Sequence, residues 1–242
     1  MRAEEFIELL SGEAKRNVYR FENLRECIPL GLSGTGEFIV SHKEERPDWY
    51  HHTCVTGGSR GDFIRRLILT LACVYDKSEA QFLLLSPNAE YGELLRLKNA
   101  DVTVPYVKTA AELSEALKTV LELVRMRSQS EGYPKLIIVL DGLEQLKGAA
   151  YTDVTELYSV WIEALRGGVL ELIMGLDLTE SIFAPQPGAF VGIGNALVTT
   201  KGGGKADVTH VGADSALSLP REIDYPSLPA LSDAIDYFNL LV

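Results

Sequence analysis

Apolar residues along this chain fall into two rhythms. In some stretches they recur every three or four positions, which marks one face of a helix; in others they form short unbroken runs, which mark a strand buried on both sides. Phe63, Ile64, Leu67, Ile68, Leu71 and Val74 predict a helix over about 62–75. Leu113, Ala116, Leu117, Val120, Leu121 and Val124 predict a longer one over 109–127, opened by Thr109 and Glu112 at capping-box spacing. Shorter helices are expected over about 3–11, 90–98, 153–166 and 230–240. The runs "AQFLLLSP" (80–87), "KLIIVLDGL" (135–143) and "VLELIMGL" (169–176) read as buried strands, and "YHHTCVT" (50–56) as the strand before the first long helix. "DVTVPYV" (101–107) is a further strand, placed at an edge or an end by Pro105.

Strands alternating with helices predict an α/β fold with a mostly parallel sheet covered on both faces. Two hairpins flank it. "CIPLGL" (27–32) and "EFIVSH" (37–42) are joined by "SGTG", and "NALVTTKGGGKADVTHV" has a glycine-rich tip. Pro220, Pro226 and Pro229 predict a connector to the last helix. The expected division is an N-terminal helix and hairpin over 1–48, the α/β domain over 49–213, and a C-terminal extension over 214–242.

Composition narrows the function classes. The chain has 242 residues, of which 46% are hydrophobic, enough for a full core. The apolar runs fall well short of the roughly 18 residues a membrane span needs, and the acidic, amphipathic "MRAEEFIELL" is unlike a secretory signal. A cytoplasmic protein is expected, peripheral to a membrane-anchored assembly at most. The net charge of −11 argues against DNA binding by this chain alone. Cys27, Cys54 and Cys73 are widely spaced in apolar surroundings, as reduced buried thiols are. His51 and His52 are adjacent, so on a strand they face opposite ways. No metal site is expected.

The chemistry concentrates in "VTGGSRGDF" (55–63), a glycine-rich turn between a strand and a helix. A phosphate-binding loop has the form GxxxxGK[ST]: backbone amides cradle phosphates, the lysine reaches the β- and γ-phosphates, and the hydroxyl binds magnesium. Here Gly57, Gly58, Ser59, Arg60 and Gly61 supply the turn, but Gly57 to Gly61 is one residue short of that spacing. Asp62 falls at the lysine position and Phe63 at the hydroxyl position. A carboxylate about 4 Å from a phosphate is repelled by about 1–4 kcal/mol at effective dielectrics of 80 to 20. Arg60 would offset part of this, from another place in the turn.

The order of the segments is more specific than the turn. "IPLGLSGTGEFIV", then a strand, then "VTGGSRGDF" and a helix, resembles the opening of the motor domain in the FtsK/SpoIIIE family. Those proteins are RecA-like ring ATPases that move DNA, and their EssC/EccC relatives drive type VII secretion. The family's next strand ends "DPK"; here it is "LLLSPN", with Ser86 and Asn88 in place of aspartate and lysine. Its Walker B strand ends "VDEF"; "VLDGLEQL" keeps Asp141 but has Gly142 where the catalytic glutamate stands. Its "ATQRP" strand end corresponds to "LIMGLDLTE", with Asp177 at the sensor glutamine and Leu178 at the arginine. "GIGNALVTTKGGGKADVTHVGA" resembles the family's "GMGDMLY…VHGA" hairpin, and the segment between these last two motifs is largely missing. The resemblance covers roughly residues 27–213.

The resemblance implies a RecA-like fold in which the residues that hydrolyse ATP have been replaced as a set. Phosphoryl transfer needs positioning and charge stabilisation from those parts together. No catalytic residue is assigned, and neither ATP nor magnesium is expected as a cofactor. The function expected is that of a protein-binding or regulatory module, like the C-terminal ATPase-like domains of EssC/EccC proteins. Its partners would be a protein, neighbouring motor domains or further copies of the chain. The candidate surface is the loop 57–63 with the strand ends at Ser86, Asp141 and Asp177; its acids, Asp62, Asp141 and Asp177, either suit a basic or amine-bearing partner or are simply solvated. The alternative is an ATP-binding subunit of a DNA translocase ring, with an arginine supplied by a neighbour. A third reading puts Lys201 and Lys205 of the hairpin tip on a DNA backbone, against their keeping an edge hairpin soluble.

Overall fold

A computed structural model describes residues 2, 4–5, 8, 29–36, 38–40, 51–75, 77–98, 100–104, 107–130, 132–146, 169–175, 196–210, 218–227 and 229–241. Cys27, the helix expected over 153–166, and Asp177 with Leu178 lie outside the described residues. Of the helix expected over 3–11, Glu4, Glu5 and Glu8 are described, and each is helical.

The strands are β1 (Pro29–Ser33), β2 (Phe38–Val40), β3 (His51–Thr56), β4 (Ala80–Leu85), β5 (Asp101–Thr103), β6 (Lys135–Asp141), β7 (Val169–Gly175), β8 (Ala196–Gly202), β9 (Lys205–His210) and β10 (Arg221–Asp224). The α-helices are α1 (Arg60–Val74), α2 (Ala110–Ser128) and α3 (Leu231–Leu241), and 3-10 turns cover Ala89–Arg96 and Leu143–Gln145. The described strands form one sheet in the order β2-β1-β10-β9-β8-β3-β7-β6-β4-β5. From β8 to β5 every pairing is parallel. From β2 to β8 every pairing is antiparallel. The fold is RecA-like α/β, as the resemblance implied.

Two expectations change. The segment 90–98 is a 3-10 helix over Ala89–Arg96 rather than an α-helix. The proline-rich connector contains β10, which pairs with β1 on one side and β9 on the other. "REID" has one apolar residue in four, so no pattern announces a strand; it forms because two neighbours offer ladder partners and a slot that buries Ile223. The sheet therefore takes strands from the N-terminal hairpin, the alternating unit and the C-terminal extension alike.

Side chains alternate across the sheet and build a core on each face. Val55, Phe82, Leu84, Ile137, Val139 and Ile173 face α1 and α3, while Cys54, Leu83, Leu85, Ile138, Leu140, Leu172 and Met174 face α2. Helix α2 is one-sided: Leu113, Leu117, Val120 and Val124 are buried, and its capping box is formed by Thr109 and Glu112. Helix α1 is different. Every residue from Phe63 to Ala72 is buried, Arg65 and Arg66 included, and the α1 side chains share one core cluster with Leu30 and Ile39 of the β1–β2 hairpin and Ala234, Ile235 and Phe238 of α3. The buried Arg66 donates from Nη1 to the Leu30 carbonyl at 2.9 Å, tying the helix to the hairpin.

One acid interrupts the apolar run of β7. Glu171 is buried, accepts a 2.9 Å hydrogen bond from Thr53 Oγ1, and is pushed by burial from its ordinary 4.5 up to about 8. Its proton is held more tightly folded than unfolded, so its contribution to stability is complete below pH 4.5 and lost as pH rises through about 8. We expect chemical-denaturation stability to fall across this window by up to about 1.4 kcal/mol per pH unit. Glu171→Gln should remove that slope, and an unchanged slope in the variant would exclude Glu171 as its source.

Candidate functional site

The parallel strands end on one edge of the sheet, where doubly wound α/β proteins bind ligands. Thr56 closes β3 there, Asp141 closes β6, Gly175 closes β7, and Ser86 follows β4. The glycine turn spans the short gap between β3 and α1.

The turn is tight. Gly57 has φ +97°, and a Cβ on it would lie 2.3 Å from the Thr200 carbonyl oxygen, so only glycine fits against β8. Thr200 Oγ1 donates to the Thr56 carbonyl at 2.8 Å and accepts from the Ser59 amide at 3.3 Å. The Arg60 amide donates to the Gly57 carbonyl at 3.2 Å, and the Phe63 amide to the Ser59 carbonyl at 3.2 Å. Three amides of the stretch are thus engaged: one by Thr200 of β8, one within the turn and one by the start of α1. Gly58 is exposed, with open space around it, and Gly61 stands beside the Arg65 guanidinium.

Asp141 is the centre of the site. Its side chain is 6% exposed, and both oxygens accept hydrogen bonds. Arg60 Nε donates to Oδ1 at 3.0 Å, as an ion pair that is itself only 13% exposed on the arginine side. Tyr91 Oη donates to Oδ2 at 3.0 Å. Burial first, and then the charge and hydrogen bond of Asp141, hold the Tyr91 phenol well above its ordinary range, so it stays a proton donor. Gly175 makes the room: a Cβ there would lie 2.0 Å from Asp141 Oδ1 and 2.7 Å from Ile64 Cδ1. Gly142 follows in the left-handed region at φ +70° and donates its amide to the Gly175 carbonyl at 3.2 Å.

The residues at the lysine and hydroxyl positions of the motif stand elsewhere. Asp62 is two residues beyond Arg60 in α1, hence about 200° around the helix, on the far side from Asp141. Its side chain is 57% exposed and pairs with Arg65 Nη2 at 2.6 Å. Phe63 is buried in the core, its ring edge-to-face with Tyr225 at 4.8 Å between centroids. Sequence spacing brought neither Arg60 nor Tyr91 to Asp141; the "EYGELLRLK" pattern marked Tyr91 only as a residue of a short helix. Ser86 is buried, and its Oγ accepts from the Asn88 amide at 3.0 Å, a local turn. Two of the acids expected to attract a basic partner, Asp62 and Asp141, are therefore already paired with arginines of α1.

Elsewhere the described residues offer little chemistry. None of them form a group of three or more His, Cys, Asp or Glu placed to hold a metal ion, and no described helix is long and apolar enough to cross a membrane. Lys201 pairs with Asp207 and Glu222, and Lys205 with Glu222 and Asp224, so the hairpin lysines are matched across β8, β9 and β10. A mostly apolar groove of about 230 Å³ runs between α2 and the β4–β5 edge, lined by Gln81, Leu83, Thr103, Ala116, Val120 and Leu123 among others.

No protein-family profile and no curated protein matches the chain. Solved structures do. The cytoplasmic domain of the type VII secretion ATPase EccC from Thermomonospora curvata superposes with a TM-score of 0.64 at 10% identity, over 84% of this chain and 26% of that one. EssC (ATPases 2 and 3) from Geobacillus thermodenitrificans gives 0.59 at 14%, over 89% and 48%. T. curvata EccC (ATPases 2 and 3) in complex with a signal sequence peptide gives 0.59 at 13%, over 84% and 41%. The fold is that of EssC and EccC ATPase domains. The chain spans about a quarter to a half of the length of these proteins.

The geometry separates the glycines sharply. Gly175→Ala drives a methyl into Asp141 and Ile64, and we expect a loss of about 1–3 kcal/mol in chemical denaturation. Gly58→Ala meets nothing within 4 Å and should stay within about 0.5 kcal/mol of the parent. Equal effects at the two positions would refute the packing described at Asp141.

Proposed function

We propose that this chain is a non-hydrolysing FtsK/SpoIIIE-like domain that serves as a protein-binding or regulatory module of a translocation or type VII secretion apparatus. The fold shared with EssC and EccC ATPase domains supports the apparatus. The observation that carries the non-hydrolysing part is the state of Asp141, with Arg60 on one oxygen and Tyr91 on the other.

A magnesium nucleotide needs several things on this edge at once: free loop amides, a cation at the β- and γ-phosphates, a carboxylate for the metal, and a residue to orient the attacking water. The amides of Ser59, Arg60 and Phe63 are already engaged by Thr200, the Gly57 carbonyl and the Ser59 carbonyl. Asp62 and Phe63 bring an exposed carboxylate and a buried ring in place of the lysine and the hydroxyl. Gly142 has no side chain with which to hold a water. The residues present do not fit a magnesium nucleotide, and no step of ATP chemistry is assigned to them.

A domain freed from hydrolysis acts through its surfaces. One of the solved EccC structures holds a signal sequence peptide, and the partner proposed here is likewise a protein: a peptide segment, a neighbouring motor domain or another copy of the chain. The chain would work on the cytoplasmic side of such an assembly. Thermal unfolding with millimolar Mg-ATP tests this reading. We expect no displacement of the melting temperature, whereas a ligand present at 100 times its Kd would stabilise the fold by about 2.7 kcal/mol. A reproducible upward displacement with Mg-ATP would favour the alternative of an ATP-binding subunit in a translocase ring.

A further inference from the structure

We infer that Arg60 is a built-in counter-ion, which holds Asp141 in place of a bound cation, so that Asp141, bonded to Arg60 on one oxygen and Tyr91 on the other, cross-links the glycine turn, the end of β6 and the 89–96 turn without any ligand. The inference rests on the non-hydrolysing reading above and says what replaces the nucleotide as the element that joins these parts.

Three observations lead to it. A carboxylate as enclosed as Asp141 must be given positive charge and hydrogen bonds, because burial without them is costly. Its two oxygens are served by different elements: Arg60 is the first residue of α1, and Tyr91 belongs to the 3-10 turn beyond β4. Finally, the surroundings are shaped to that pair. Gly175 leaves a space that any side chain would close, and the Arg60 guanidinium passes 3.5 Å from where a Cβ on Gly142 would lie.

A second arginine completes the arrangement. Arg65, one turn further along α1, lies over the Tyr91 ring at 5.9 Å and pairs with Asp62. Two arginines thus meet two aspartates, and these four charges sum to zero. The glycine turn, the end of β6 and the 89–96 turn are joined here by side chains, with no nucleotide between them.

The test is amide hydrogen exchange on the full chain without nucleotide. In Arg60→Gln we expect amides of 57–63 and 89–96 to exchange at least tenfold faster than in the parent. Millimolar Mn2+ should restore part of that protection in Arg60→Gln, by occupying the vacated carboxylate. It should do so neither in the parent nor in Arg60→Gln/Asp141→Asn. Unchanged exchange in Arg60→Gln would overturn the inference, as would equal protection by Mn2+ in the parent and the variant. Should Arg60→Gln fail to fold, the double variant decides. Folding recovered by removing the carboxylate too supports the counter-ion, and a double variant as unfolded as the single one refutes it. Because nucleotide is absent throughout, this result stands apart from the Mg-ATP melting experiment: a shift with Mg-ATP favours the ATP-binding alternative, and unaltered exchange overturns the counter-ion.

Discussion

Asp141 ends β6, a strand inside the parallel part of the sheet, with almost no contact with solvent, and a charge so placed has to be answered from within the protein. The surrounding geometry follows from that demand. Arg60 must leave the first turn of α1 toward β6, so the glycine turn closes tightly and Gly57 presses against Thr200. Tyr91 must come in from the other side, so the chain after β4 folds into a 3-10 turn that buries a phenol. Gly175 must lack a side chain. At this point of the strand-end edge, where doubly wound α/β proteins bind ligands, the chain's own Arg60 and Tyr91 occupy the carboxylate.

The burial of α1 is the second constraint. A helix covered on one side would have served a parallel sheet, as α2 does on the opposite face. Here residues of the C-terminal segment and of the N-terminal hairpin pack into the same core as α1, and Arg66 is brought inside to reach the Leu30 carbonyl. The termini thereby join the same sheet: β10 fills the gap between β1 and β9, and α3 rests on the helix layer. The first residue of α1 is the one that holds Asp141, so the cover over the helix also steadies the site.

Several exposed charges among the described residues are matched to near neighbours. Lysines of the β8–β9 hairpin meet acids of β9 and β10, and Asp62 meets Arg65. With a net charge of −11 and its hairpin cations paired, the described surface has no basic stripe for a nucleic-acid backbone.

Periodicity alone determined the alternating strands and helices, the two-sided cover of the sheet, the capping box of α2 and the two hairpins. Those features are local: each depends on which residues share a face or a turn within a few positions. Strand β10 was hidden because a four-residue strand with one apolar side chain is stabilised by its neighbours and not by its own pattern. The site was hidden for the same reason. The motif placed Asp62 and Phe63 at the lysine and hydroxyl positions, but a turn one residue shorter rotates the helix, and it is Arg60 that points along the sheet edge. Tyr91 is 50 residues from Asp141 in the chain, and no spacing rule connects them. Only the tertiary fold brings an arginine from one element and a tyrosine from another onto one buried carboxylate, because only there is the charge removed from water and its need for partners created.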